Sequence, residues 1–351
     1  MLQVIERTLR SGGGAALVWL AATSAGAGVD LPREIERLRA SVKALPASDL
    51  VSGEQPRMLA SIDDAEAMTR AGRPLAALET LASVAPGIPA LARASSGWKE
   101  TDTGPGKGLD ALQKEWTEVG VTIRSDRAAF AATSPGRQSA FTRALAEQSF
   151  GQVDEHYVVA VDYGRFSGLS AGAYYLGRAE GQMSWALTLA RSNDATPKAV
   201  ASPPALDAAL ARLENDIVEA YAKPGSTAQH TNFIIANSSL KLARELETHG
   251  LRLGALVTLL RSRLALALAT TAPPAAERQK ELRASAATYK TRLHASARDE
   301  SIGESLIEKA LAALDKSEDG NEASARERLR AAALLDIVVP TYLDIMKGAN
   351  P

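Results

Sequence analysis

The sequence predicts an all-α protein of packed antiparallel helical hairpins, either an irregular α-solenoid or a helical bundle, with little or no sheet. Two observations carry this. Alanine is abundant while aromatic residues make up 5% of the chain, and alanine is the best helix former whereas strands favour aromatic and β-branched residues. Leucines and alanines also recur three and four residues apart between glycine and proline punctuation along most of the 351 residues, which is helical periodicity. Val119–Ile123 and Tyr157–Val161 look strand-like by propensity alone. Two isolated runs of that length cannot build a sheet, so both are read as helix.

Residues 1–27 are expected to be a secretory signal peptide. Arg7 and Arg10 precede the apolar run Ala15–Ala22, and Ala25-Gly26-Ala27 supplies small residues for cleavage before Gly28. The expected location is exported, periplasmic or extracellular, with the cytoplasm as the alternative. The run is too short to span a bilayer as a stable helix, and no other segment is expected to do so.

Residues 28–108 read as an N-terminal helical segment ending in a flexible loop. Ile35, Leu38, Val42 and Leu45 mark a helix over Leu31–Leu45 behind Pro32, followed by a turn-rich segment Pro46–Pro56. Met58, Ile62, Ala65 and Met68 predict a second helix closed by Gly72. A short partner carrying Leu75, Leu78 and Leu81 is expected to stop at Pro86-Gly87, opening the loop Pro86–Gly108.

Residues 109–351 form the main α-helical domain. Leu109–Ala132 is a helix broken by Ser134-Pro135-Gly136. Pro203-Pro204 opens another with Leu206, Leu210, Leu213, Ile217 and Tyr221 on one face, ended by Lys223-Pro224-Gly225. A helix through Ile234, Leu240, Leu242 and Leu246 leads to Gly250. Its successor Leu251–Ala269 is leucine-rich on nearly every side and should be central. Pro273-Pro274 starts the next element, with Leu282, Ala286, Tyr289 and Leu293 on one stripe. Ser301 and Glu304 have capping-box spacing, Asp319-Gly320-Asn321 is a turn, and the last helix runs from about Glu322 towards Met346 with a kink before Pro340.

Gly72, Gly181, Gly250 and Gly320 are each followed five residues later by alanine, at Ala77, Ala186, Ala255 and Ala325. Glycine permits a tight turn between helices and alanine lets the second helix approach the first. The segment from Ala67 through Gly72 to Ala76-Ala77-Leu78 resembles the turn and second helix of a tetratricopeptide hairpin. The spacings from Gly181 to Gly250 and from Gly250 to Gly320 are each close to twice that family's repeat length. The family's first-helix tryptophan and tyrosine pattern is missing, as is its proline after each repeat. The resemblance implies stacked hairpins with an extended interaction face and supplies no functional residues.

The charge is nearly balanced, 40 basic against 41 acidic residues, so the chain lacks the basic field on which nucleic-acid binding depends. Without cysteine, disulfides and thiolate chemistry are excluded. His156, His230, His249 and His294 stand in no zinc-protease or di-iron spacing, and neither metal nor cofactor is expected. His249 reads as a helix-end residue. Gly104-Pro105-Gly106-Lys107-Gly108 departs from a phosphate loop, because Thr101 and Gly108 stand where a glycine and a hydroxyl residue are needed.

Asp154, Glu155, His156 and Asp162 are the one compact titratable cluster containing a histidine. They make either an acid/base or metal site, if folded together, or a solvated helix face. Aromatic residues concentrate between 130 and 185. Tyr157, Tyr163, Phe166, Tyr174, Tyr175 and Trp185 are the candidate ligand or partner surface, with core filling as the competing role. Asn232, Asn237, Ser238 and Ser239 are expected to fix the register between helices. The functional expectation is a non-enzymatic helical scaffold or protein-interaction protein of the cell envelope, with a protein or envelope component as partner. The alternative is a small-ligand or peptide binder using the aromatic stretch.

Overall fold

The computed structural model describes residues 29–96, 98, 107–193, 198–317 and 321–348. The signal-peptide reading of 1–27, Gly104-Pro105-Gly106 and Gly320 fall outside the described residues. The described chain is all-α. Its one β interaction is an isolated bridge between Ala199 and Arg298.

Helix α1 (Leu31–Lys43) buries Leu31, Ile35, Leu38 and Val42 along one stripe, and the Asp30 side chain caps it at the Arg33 N–H. Helix α2 (Asp49–Arg70) starts earlier than its prolines suggested, correcting the expected turn over Pro46–Pro56. Ser48 caps the Val51 N–H at 3.2 Å and Val51 is buried. The helix is therefore nucleated ahead of Pro56, whose missing N–H removes one bond without ending it. Gly72, at φ +70°, closes α2 with paired bonds from Gly72 N to Thr69 O and from Arg73 N to Met68 O.

Helix α3 (Pro74–Val84) is followed almost at once by α4 (Gly87–Ala94), so Pro86-Gly87 bends the chain where a stop was expected, and residues 87–94 belong to the core. Helix α5 (Lys107–Ala131) leads to α6 (Ala140–Phe166) and, through Gly168 at φ +102°, to α7 (Leu169–Ala190). Both strand-like runs are helical, burying Val119, Ile123 and Ala160 on one side and leaving Val121 and Val158 exposed on the other. Gly181 was expected at a turn and lies mid-helix in α7. A side chain there would sit 2.7 Å from the Pro86 backbone, and one at Gly177 would sit 2.4 Å from the Pro89 carbonyl. These glycines let α4 press directly onto α7.

Helix α8 (Asp207–Tyr221) is followed by α9 (His230–Thr248), and Gly250 at φ +73° turns α9 into α10 (Arg252–Thr270). Residues Gly254–Leu260 of α10 are all buried, as expected of the central leucine-rich helix. Helix α11 (Gln279–His294) begins several residues after Pro273-Pro274, which lie in the preceding loop. Helices α12 (Ser301–Asp315) and α13 (Glu322–Ala333) follow, and a π turn over Leu334–Val338 joins α13 to α14 (Val339–Met346), where Pro340 lies in the first turn. The expected kink before Pro340 is thus a π turn, a usual accommodation for an interrupted helical ladder.

The α6–α7 hairpin has the most extensive contact. Helix α4 lies on α7, α5 flanks both, and α10 packs on α6. Helix α12 returns to α3, where Arg73 pairs with Asp315 and Lys309 with Glu79 at 2.8 Å, and Lys316 after it reaches Asp64 on α2 at 2.6 Å. The arrangement is therefore a closed bundle, with one hydrophobic core from Leu31 to Met346. Two helical stretches, Pro74–Ala94 and Arg252–Thr270, are long and apolar enough to cross a membrane, where none was expected after the leader. Their apolar windows are 67% and 61% buried against the rest of the protein, and core helices share that composition.

Helices α3, α8 and α10 have no side-chain cap of their own. Distant carboxylates take that role. Glu308 on α12 accepts the Ala76 N–H at 2.9 Å, Glu147 on α6 accepts the Gly254 N–H at 2.9 Å, and Glu247 approaches the Leu206 N–H at 3.4 Å. The start of α6 receives Asp299 at the Ala140 N–H and the Ser301 hydroxyl at the Phe141 N–H. Ser301 therefore caps α6, correcting the expected capping box with Glu304. Burial raises the Glu147 carboxyl above its usual range against the pull of these N–H groups and Arg143. The same burial pushes Glu308 up to about 7.

Between pH 4.5 and about 7 an unfolded Glu308 has released a proton that the folded one retains. Its contribution to stability is full below pH 4.5 and declines as pH rises through about 7, by about 3 kcal/mol. Glu308→Gln keeps an acceptor for Ala76 and removes the titration. Urea midpoints should show the variant gaining on the wild type between pH 5 and pH 8; parallel pH profiles would refute this. Gly53 has nothing within 4 Å of an added Cβ, so Gly53→Ala should stabilise by about 0.5–1 kcal/mol. Gly181→Ala should destabilise by about 1–3 kcal/mol in the same titration.

Candidate functional site

The antiparallel packing of α5, α6 and α7 divides the aromatic residues between interior and surface. Trp116 and Tyr157 stack with centroids 4.8 Å apart and planes at 9°. Each holds the other's backbone: the Trp116 indole N–H donates to the Tyr157 carbonyl at 2.9 Å and the Tyr157 hydroxyl to the Trp116 carbonyl at 3.0 Å. Gly120 makes room for this pair, since a Cβ there would lie 2.1 Å from the Tyr157 hydroxyl. Phe130 and Phe150 stack deeper at 4.4 Å, with the Arg143 guanidinium 4.8 Å over Phe130.

Towards solvent, Tyr175 meets three rings, Tyr163 at 4.2 Å and His156 and Tyr174 each at 5.8 Å. Burial raises the Tyr175 phenol, and its hydrogen bond with Tyr163 adds to this. Tyr163 is 40% exposed, and Phe166 at the end of α6 is 79% exposed. Trp185 lies in the core at 2% exposure, with an indole N–H that finds no partner. The six aromatic candidates therefore do not converge on one cavity.

The titratable cluster is not assembled into one site. Neighbours along a helix point about 100° apart. Asp154 pairs with Arg127, while Glu155 and Asp162 are exposed. His156 turns inward, its Nδ1 2.9 Å from both the Gln152 carbonyl and the Gln182 Oε1. The Gln182 amide donates to Gln152 Oε1 at 2.7 Å, which leaves Oε1 of Gln182 as an acceptor and places the histidine proton on Nδ1. Burial holds the imidazole below its usual pKa, so it is neutral at pH 7. Among the described residues no three His, Asp or Glu side chains are grouped as metal ligands.

His249 bonds the Glu245 carbonyl at the end of α9. Asn232, Asn237 and Ser238 face solvent and Ser239 is buried; the α9–α10 register is held instead by the Ser262 hydroxyl on the Ala236 carbonyl at 2.7 Å.

A groove of about 210 Å³ runs between α2, the α3–α4 bend and α7, with Met58, Tyr174 and Arg178 among its walls. Sequence reading missed it. Tyr174 and Arg178, four apart on α7, are legible as one helix face, but α2 as the opposite wall is not. The chain matches no family model, no curated protein and no solved structure.

Gly120→Ala should expel the Tyr157 ring and cost about 0.5–1.5 kcal/mol of ring contact beyond the lost hydrogen bonds. Near-ultraviolet circular dichroism of Gly120→Ala should match that of Tyr157→Leu, with helical content retained. A spectrum like the wild type would show that the methyl is accommodated without moving the ring.

Proposed function

We propose that this chain is an exported, non-enzymatic interaction protein of the cell envelope that contacts a partner protein through the C-terminal half of α6 and the adjoining rings of α7. The observation that carries this is the exposure of Phe166, at 79%, on the same half-helix as Val158 at 64% and Tyr163 at 40%. Burying one such side chain gains about 1.5–3 kcal/mol, and exposed apolar patches of this kind mark contact surfaces. Tyr163 is held against Tyr175 before any partner arrives, so little side-chain freedom is lost on binding. Export rests on the basic start, apolar run and small-residue site of residues 1–27.

The test is site-specific photocrosslinking in native cells, with a benzophenone residue at position 166 and, as control, at the exposed Lys241 on α9. A discrete adduct of defined mass at 166 and none at 241 is the expected outcome. Equal, diffuse labelling at both sites would sink the contact surface. The mature protein should begin at Gly28 in the envelope fraction, and an intact leader in the cytoplasmic fraction would overturn the location.

A further inference from the structure

The groove between α2, the α3–α4 bend and α7 contains an electrostatic anomaly. Among the described residues, Arg178 is the one arginine that is not exposed and yet makes no hydrogen bond or ion pair. Comparable arginines are all partnered: Arg39 with Asp63 and Glu66, Arg93 with Glu115 and Glu180, Arg143 with Glu147. A guanidinium offers a planar fork of donors that fits a carboxylate bidentately. At Arg178 that fork lines an open groove.

The rest of the groove limits what can reach it. Met58, Val84 and Leu91 supply apolar walls, and the Met58 methyl packs where a side chain at Gly87 would stand. The hydroxyls of Ser61 and Tyr174 line the same groove and make no hydrogen bond within the protein. A volume of about 210 Å³ is below the roughly 300–1,000 Å³ of small-molecule and cofactor sites. It suits one aliphatic side chain and a chain end. Glu54 and Arg57, paired at 2.9 Å, both border the groove and offset one another, so Arg178 leaves it one net positive charge, which matches a singly charged carboxylate better than a doubly charged anion such as phosphate.

We propose that this groove binds the C-terminus of a peptide chain ending in an aliphatic residue. The terminal carboxylate lies on Arg178, the last side chain among Met58, Val84 and Leu91, and the final amide against the Ser61 and Tyr174 hydroxyls. This rests on the reading of the chain as an interaction protein and names the chemistry of a partner.

The probe is acetyl-Ala-Ala-Leu as free acid, titrated calorimetrically into the full chain, with its C-terminal amide and inorganic phosphate as comparisons. Saturable one-site binding of the acid is expected, with the amide about tenfold weaker, Arg178→Gln about tenfold weaker and Arg178→Lys between it and the wild type. Arg178→Gln removes no hydrogen bond or ion pair within the protein, so its melting temperature should change little, and Phe166→Ser should bind the acid like the wild type. Equal binding of acid and amide, no effect of Arg178→Gln, no saturable binding at all, or displacement of the peptide by an equal concentration of phosphate would each overturn the proposal. An adduct at position 166 without peptide binding removes the groove and leaves the interaction reading standing. Peptide binding without that adduct removes only the α6 contact.

Discussion

Helix starts are the points on which this bundle depends. The first N–H groups of a helix have no partner within it, and a buried N–H left unmet costs about 1–3 kcal/mol. Here α3 and α10 begin without local caps and become buried at Ala76 and Gly254, whose N–H groups are met by carboxylates from α12 and α6. The two cases correspond residue for residue. Ala76 and Gly254 each stand four residues beyond a positive-φ glycine, Gly72 or Gly250, and are bound by Glu308 or Glu147, each the eighth residue of its own helix. The opposing forces are also the same. Burial disfavours both carboxylates, while the helix dipole and N–H groups favour them. At Glu147 the buried Arg143 adds a full opposite charge, and at Glu308 the neighbouring Glu304 adds a like one. Burial prevails in both, raising each carboxyl above its usual range, at Glu308 to about 7.

Small residues set the remaining distances. Gly177 and Gly181 bring α4 onto α7, and Gly164 and Gly172 admit Leu112 between α6 and α7. With backbones this close there is little interior room for large rings. Phe141 and Trp185 take some of it, and Tyr163, Tyr175 and Phe166 are displaced towards solvent.

Local signals are legible in the sequence and distant ones are not. Gly72 and Gly250 announced their turns because a left-handed residue after a leucine-periodic segment has few other uses. The burial of α10 followed from leucine on all its sides, and the break before Pro340 from the missing N–H. Gly181 and Pro86 misled for one shared reason: each was read as punctuation, and their actual role is contact with one another across 95 residues of chain, from 181 − 86. Ser301 likewise had the spacing of a local cap while its hydroxyl serves α6. The candidate groove was hidden because its charge anomaly consists of a missing partner, and a sequence does not show which charges go unpaired.

The anchoring of α3 by Glu308 also constrains the order of events as the chain is made. Ala76 leaves the ribosome 232 residues before its carboxylate, which at typical elongation rates is about 10–50 seconds. Throughout that interval the α2–α3 hairpin has its glycine turn but not its cap, and its apolar face awaits α12. Loop closure over such a span is slow relative to hairpin formation. The α2–α3 hairpin therefore gains its cap only once α12 is in place.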